Sequence, residues 1–325
     1  MTRGTVISVV TPVYNEKGSV EPLLADLVAV FESLPYEFEL IIVNDGSDAV
    51  TTEILDRMCE TDERVGVVHL SRNFGHQAAL SAGLDEATGD AVLVMDSDLQ
   101  HPPAVIPVLV REWESGHDVV HAVRRAVRSG SRTKRLASRA FYRLFNRASD
   151  TKIPVNGADF RLMDRQAVDA MKQLPERQRF VRGLSSWVGF RQTTVPYDEV
   201  PRRSGTPKYS MRKQIDLGVH GLVSMSTRPL RWLLALGGLL LVAGLAGGVF
   251  DGIATWSTGS SFEPIRLMLW GILSLAGLQL MGIGTLGLYV GAVYREVQGR
   301  PLYLVQRRSG AAVRRQIRLR EAARR

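Results

Sequence analysis

The chain has 325 residues, a net charge of +8 and one cysteine, Cys59. The length leaves room for a soluble domain of ~200 residues and an appendage. The single cysteine excludes an intrachain disulfide and fits a reducing compartment. The first hundred residues are acidic to neutral, whereas arginine gathers around 124–147, at 202–213 and after Arg295. Such basic runs call for nucleic acid, an anionic membrane surface or phosphate groups.

Met1 to Gly4 lead directly into the β-branched run Thr5 to Val10, a first strand, so no signal peptide is expected and the domain should remain cytosolic. Thr11-Pro12-Val13-Tyr14-Asn15-Glu16 breaks that strand, and Ser19 to Ser33 carries an apolar stripe of helical period. Phe38 to Val43 is a second strand, running into Asn44-Asp45-Gly46-Ser47-Asp48, which is turn chemistry with a candidate N-cap. A helix to about Thr61, a strand Val65 to Leu70, the loop Ser71 to Gly75 and a helix Gln77 to Ala87 follow. Ala91 to Met95 is then a buried strand that delivers Asp96-Ser97-Asp98-Leu99-Gln100-His101, stopped by Pro102 and Pro103. This strand–helix alternation predicts an α/β domain whose mostly parallel sheet has helices on both faces. The polar clusters at the strand ends, Tyr14/Glu16, Asp45/Ser47, Arg72/Asn73 and Asp96/Asp98/Gln100, should then converge on one cleft.

Asp96 and Asp98 share a face of an extended segment. With the Gln100 amide oxygen they form a hard donor set for Mg²⁺ or Mn²⁺, which would also hold substrate phosphates. Taken alone, Asp-x-Asp is more often a polar turn that merely ends a strand. No Gly-x-Gly-x-x-Gly follows the first strand and no Gly-Lys-Ser/Thr occurs, which removes the main support for dinucleotide oxidoreductases and P-loop enzymes.

In Ser131 to Arg147, Arg135, Arg139, Arg143 and Arg147 form one polar stripe opposite Leu136, Ala140, Phe141, Leu144 and Phe145. That pattern describes a helix lying in a membrane interface, or an ordinary surface helix packed on the sheet. Its large apolar face disfavours nucleic acid as the partner. Val155 to Arg165 reads as a polar turn, a short apolar segment and a helix, in which Asp159 is either a functional carboxylate or a helix cap. Arg202 to Ser210 is a basic loop with glycine and hydroxyl residues, either a flap that closes over phosphates or a solvated charge run.

Trp232 to Phe250 is uncharged for 19 residues and Leu267 to Tyr294 for 28, long enough to be two membrane spans. The arginines at Arg228, Arg231 and Arg295 onward place both ends in the cytoplasm and the short loop outside. The basic tail from Arg307 to Arg325 is helical in composition and should lie on anionic headgroups or be disordered. The organisation is thus a cytosolic domain over 1–228, with interfacial helices near 131–147 and 208–226, a two-helix hairpin over 229–295 and a tail over 296–325. Small-xxx-small spacings at Gly244/Gly248 and Gly287/Gly291 would allow helices to pack closely within or between chains, so a homo-oligomer is an expectation.

Thr11-Pro12-Val13-Tyr14-Asn15-Glu16, Val43-Asn44-Asp45-Gly46-Ser47, Ser71-Arg72-Asn73-Phe74-Gly75, the Asp96–Pro103 segment and Asn156-Gly157-Ala158-Asp159-Phe160-Arg161 occur in this order and at characteristic spacings. Together they resemble the inverting family-2 glycosyltransferases of GT-A fold (a Rossmann-like domain), and among these the polyprenyl-phosphate glycosyltransferases. The resemblance covers about residues 5 to 305. It implies that Pro12, Tyr14, Glu16, Asp45, Arg72 and Asp96 bind the nucleotide sugar, and that Asp96, Asp98 and Gln100 hold Mg²⁺ or Mn²⁺. It further implies that Arg124, Lys134 and Ser138 receive the lipid phosphate, that Arg203 and Lys208 close over the phosphates, and that Asp98 and Asp159 are catalytic, Asp159 at the position of a base. The implied enzyme sits in the cell membrane and moves one sugar, from a UDP-sugar first of all, to polyprenyl phosphate. Three other readings stand beside it. One is a GDP-mannose-dependent mannose synthase. Another is a processive synthase, whose Gln-x-x-Arg-Trp element is missing here. The third is a non-catalytic membrane protein that binds sugar nucleotides.

Overall fold

The computed structural model describes residues 4–125, 154, 157–176, 179–200, 253, 257 and 264–310. Lys134, Ser138, Arg203 and Lys208, the basic helices expected near 131–147 and 208–226, and the first apolar run, 232–250, lie outside the described residues.

The first half alternates as expected: β1 (Val6–Val13), α1 (Val20–Phe31), β2 (Glu37–Asn44), α2 (Ala49–Thr61), β3 (Val65–Leu70), α3 (His76–Glu86) and β4 (Ala91–Val94). A 3₁₀ turn (Pro103–Val105), α4 (Ile106–Glu114) and β5 (Val119–Arg124) follow. Beyond the basic segment come β6 (Gly157–Asp164), α5 (Arg165–Lys172), α6 (Val181–Trp187) and β7 (Gln192–Tyr197), then α7 (Pro264–Val297) and β8 (Val305–Ser309). The strands form one sheet in the order β7-β5-β6-β4-β1-β2-β3-β8. β3, β2, β1 and β4 run parallel, as do β5 and β7, whereas β6 is antiparallel to β4 and β5, and β8 to β3. The sheet is therefore mixed, its parallel half made by the first four strands.

The unbroken apolar runs of the central strands follow from helices on both faces. Phe38, Leu40 and Ile42 of β2 pack with Leu23 and Leu27 of α1, Leu55 of α2 and Leu109 of α4. Ile41 and Val43, on the opposite face, pack with Leu80 and Leu84 of α3, Val168 of α5 and Leu184 of α6. Each such buried Leu or Ile contributes about 1.5–3 kcal/mol of transfer free energy. α3 lies so close to β1 that a Cβ on Gly83 would stand 2.3 Å from Val10 Cγ1.

Three expectations are corrected. Thr11 does not break β1, which continues to Val13. Pro12 is tolerated there because its backbone faces the β4 side, where β4 has already ended at Val94 and the Ser97 hydroxyl donates to Pro12 O at 3.1 Å. Asp159 lies within β6 and caps no helix, since Asp164 caps α5 by accepting from Gln166 N at 2.9 Å. The basic tail does not begin as helix or disorder at Arg307, because Val305–Ser309 pairs with β3 and completes the sheet.

α7 is 34 residues long and contains the second expected span. Among the described residues no helix is long and apolar enough to cross a membrane, and the side chains of 264–267, 269–270, 273–274, 276–277 and 280–281 lie outside them. Met268, Ile272, Leu275, Ile283, Leu286, Val290 and Val293 are exposed along it.

Candidate active site

The strand ends meet at the C-terminal edge of the parallel half, where an open α/β sheet leaves a crevice. Asn44, the last residue of β2, accepts from Ser47 N at 2.9 Å. Asn15, at the end of β1 with φ 52°, donates its N–H to Ser47 Oγ at 3.0 Å and accepts from Asp48 N through Oδ1 at 2.8 Å. Asp48 caps α2 by accepting from Thr51 N at 2.9 Å. The loops after β1 and β2 are thereby stitched to each other.

Asp45 is buried and ties the β2 turn to the loop before α3: its two oxygens accept from Phe74 N at 2.7 Å and Gly75 N at 2.9 Å. Burial pushes its carboxyl above the usual range, and those two N–H donors pull the other way. Gly46 has φ 68°, and a Cβ there would stand 2.5 Å from the backbone of Arg72 and Asn73. Gly46→Ala is expected to lower the urea midpoint of the full chain by the equivalent of about 1–3 kcal/mol, combining an αL penalty with a backbone clash. Arg72 projects from the same loop and lies over the Phe74 ring at 4.3 Å. Tyr14 is 41 % exposed at the rim.

The Asp96–Gln100 turn is held by its own backbone. Leu99 adopts φ 62°, rare for a branched residue, and Gln100 N donates to Asp98 Oδ1 at 3.1 Å. Asp96 N donates to His101 Nδ1 at 3.1 Å, which leaves the proton of a neutral imidazole on Nε2, 3.6 Å from Asp96 Oδ2. Burial lowers the His101 pKa, and its ring stacks on Phe160 with centroids 5.0 Å apart. Among the described residues no group of three or more His, Cys, Asp or Glu could hold a metal by itself. Asp96 and Asp98 nevertheless fit an oxygen-seeking dication that keeps positions for phosphate oxygens and water, as Mg²⁺ does.

The second half of the cleft is a charge cluster around Asp159, which is 8 % exposed. Its Oδ1 pairs with Arg161, and its Oδ2 lies 3.2 Å from Arg182 Nη2 and 3.3 Å from His76 Nε2. Arg161 is fully buried and also donates to Ser185 Oγ at 2.6 Å and to Val181 O at 3.2 Å. Burial alone would raise the Asp159 pKa, but Arg182, His76 and Arg161 together hold it well below the usual carboxylate range. For His76, burial works against the proton, but the Asp159 hydrogen bond and the Asp96 charge outweigh it and raise the pKa. His76 Nε2 also lies 3.6 Å from Asp96 Oδ1, so one imidazole stands between the two acidic centres.

Arg124, at the end of β5, pairs with Glu199 at 3.1 Å. Val200 N reaches Gln100 O at 3.4 Å, so the chain enters the basic 202–213 segment beside the Asp96–Gln100 turn. The structure therefore gathers Pro12, Asp45, Asp96, Asp98, Gln100 and Asp159 into one region, with Tyr14 and Arg72 at its rim. It adds His76, His101, Arg161 and Arg182, to which the sequence assigned no role. Asp159 and Arg161 alternate with Ala158, Phe160 and Leu162 at strand period, and that was the available signal.

Residues 8–171 match the family model described as glycosyl transferase family 2. The chain belongs to that family. This glycosyltransferase is 42 % identical over 299 residues to an uncharacterized glycosyltransferase, sll0501, of Synechocystis, covering 92 % of the chain and 94 % of the relative. It is 41 % identical over 303 residues to the bactoprenol glucosyl transferase of Shigella phage SfX, covering 93 % and 99 %. Among solved structures, a Pyrobaculum calidifontis mannosyltransferase in complex with GDP-Man and Mn²⁺ matches 87 % of the chain and 88 % of its own, at 18 % identity and a TM-score of 0.43. The α/β sheet with helices on both faces is the GT-A, Rossmann-like architecture expected from the sequence, but it is mixed where the sequence predicts a mostly parallel one, because β6 and β8 run against their neighbours.

Proposed function

We propose that this glycosyltransferase transfers one sugar from a nucleotide sugar, a UDP-sugar in the first instance, to a polyprenyl phosphate with inversion at the anomeric carbon. The observation that carries the reading is the joining of the Asp96–Asp98–Gln100 turn to the Asp159–Arg161–Arg182 cluster through His76. One centre suits a diphosphate and its cation; the other brings positive charge to the place where an anionic acceptor must approach. The extent of likeness to a relative named bactoprenol glucosyl transferase supports the acceptor.

In this reading Pro12, Tyr14, Glu16, Asp45 and Arg72 hold the nucleoside, and Asp96, Asp98 and Gln100 hold Mg²⁺ or Mn²⁺. When bound, that ion supplies Lewis-acid stabilisation of charge on the leaving diphosphate, worth several kcal/mol. The acceptor needs no strong base, because a phosphate monoester is mostly ionised at pH 7, with a second pKa near ~6. That fits Asp159, whose two arginines make it a poor proton acceptor. It orients Arg182 and His76 across the cleft, and the arginines offset repulsion between the acceptor phosphate and the donor diphosphate. Arg124, Lys134, Ser138, Arg203 and Lys208 complete the acceptor-phosphate site in this proposal.

Membrane anchoring is part of the same proposal. The uncharged runs 232–250 and 267–294 form a two-helix hairpin that carries the lipid acceptor to a cytoplasmic cleft, α7 being the second helix. The test is release of nucleoside diphosphate by the purified full chain in detergent with Mn²⁺. Release that requires undecaprenyl phosphate supports the reading. Equal release without the lipid identifies a donor hydrolase instead.

A further inference from the structure

β8 follows α7 by only a short connection, 298–304, and lands beside the donor loops. Two separate routes lead from it to Asp45. On the first, Leu304 O accepts from Ser71 N at 2.9 Å, pinning the start of the Ser71–Gly75 loop whose far end donates two N–H groups to Asp45. On the second, Arg307 pairs with Asp56 through both terminal guanidinium nitrogens, Nη1 and Nη2. Asp56 Oδ1 lies 3.2 Å from His69 Nε2, a close approach outside hydrogen-bond geometry, and His69 Nδ1 lies 3.1 Å from Asn44 Nδ2. The Asn44 amide also donates to Thr52 Oγ1 at 3.1 Å, and its oxygen receives Ser47 N. Every polar group of Asn44 is thus committed, so its orientation is fixed and with it the turn that carries Asp45.

The neighbouring Arg308 takes a different direction. It pairs at 2.8 Å with the buried Glu86 at the far end of α3, away from the donor loops. Tyr303 likewise donates to Asp85 at 2.7 Å. One strand therefore carries two arginines with separable tasks.

We propose that β8 is a positioning element of the donor site, with Arg307 and the main chain of Leu304 holding the two loops that place Asp45. This rests on the donor-site reading above. It means that the segment following the long C-terminal helix is part of the nucleotide-binding machinery and not a solvated tail.

The test is calorimetric titration of the full chain in detergent with UDP and with GDP, each in the presence of Mn²⁺. Arg307→Ala is expected to weaken nucleotide binding about tenfold, and Arg307→Lys to recover part of it. Asp56→Ala breaks the same route from its other side and should weaken binding to a similar degree, which covers the case of an Arg307 variant that does not fold. Arg308→Ala should lower Tm and leave the nucleotide Kd within twofold. Undiminished binding in folded Arg307→Ala or Asp56→Ala, or equal weakening by Arg308→Ala, overturns the proposal. Asp45→Asn separates the two layers. If it abolishes binding while Arg307→Ala leaves binding undiminished, only the role of β8 is wrong. If Asp45→Asn also binds normally, the donor-site reading fails and the role of β8 with it.

Discussion

Asp98→Ala is expected to lower the rate of sugar transfer about a thousandfold and to leave the fold standing. The expectation follows from the chemistry of the Asp96–Gln100 turn. It offers two carboxylates to a dication, and removing one takes away half of the protein charge that holds the ion. If the ion supplies several kcal/mol of transition-state stabilisation, most of that term is lost. Each 1.36 kcal/mol is a factor of ten in rate. Asp98 is only partly buried, and its Oδ1 accepts from Gln100 N at 3.1 Å within the turn. The cost in stability should therefore stay near ~0.5–1 kcal/mol, as for a lost turn hydrogen bond. Initial rates of nucleotide release, with Tm as the control for folding, check both halves. A folded Asp98→Ala variant with wild-type rates would remove the cation from the account.

Asp159→Ala is expected to be the most destabilising of the site substitutions. Arg161 has no exposed surface, and Asp159 is the carboxylate paired with it. Taking away one member of a buried pair leaves an uncompensated charge and costs about 3–5 kcal/mol. In a domain of this size that is a fall in Tm of about 10 °C. The double substitution Asp159→Ala/Arg161→Met should recover most of the stability, because replacing both charges with apolar groups is often neutral. Activity should not return with it, since Arg182 and His76 remain without their anchor. The pH dependence has a definite sign. The folded pKa of Asp159 is depressed below its unfolded value near ~3.9, so its contribution is present above about pH 4 and is lost as pH falls through the folded pKa. His121 adds to acid sensitivity from another side. Burial pushes its pKa down to about 4, so between roughly pH 6.5 and 4 the unfolded chain binds the proton that the folded chain refuses. Stability should fall over that interval, and His121→Gln should flatten the fall; chemical denaturation at stepped pH measures both.

The parts of this fold that local pattern controls were legible in the sequence. Val65 to Leu70 reads as a strand because β-branched residues crowd a short run, and it is β3 at those bounds. The Asn44–Asp48 turn reads as holding an N-cap, and Asp48 supplies it. The Asp96–Asp98 pair lies where a strand running into a polar turn should leave it. What escaped was set by contacts distant in sequence. The segment around Gly157–Asp164 reads as a polar turn, a short apolar segment and a helix, because the strand-period alternation of Asp159 and Arg161 is brief and gives way to Leu162-Met163 before a helix-forming run. Arg161 is buried only because Asp159, Ser185 and the Val181 carbonyl converge on it. Val305–Ser309 reads as a charged tail since the carboxylates that receive its arginines, Asp56 and Glu86, belong to α2 and α3. A basic strand and a basic tail have the same composition until those partners are known.

The central claim, that an anionic isoprenoid receives a single sugar from a nucleotide carrier in this cleft, is tested most directly by the mass of the lipid product. Purified full chain would be incubated with undecaprenyl phosphate, Mn²⁺ and a panel of UDP- and GDP-sugars, and the organic phase analysed by mass spectrometry. The account predicts a polyprenyl phosphate heavier by one hexose unit, formed with one donor class and absent from Asp98→Ala. Unmodified lipid with every donor, or lipid bearing a ladder of several sugars, would contradict it.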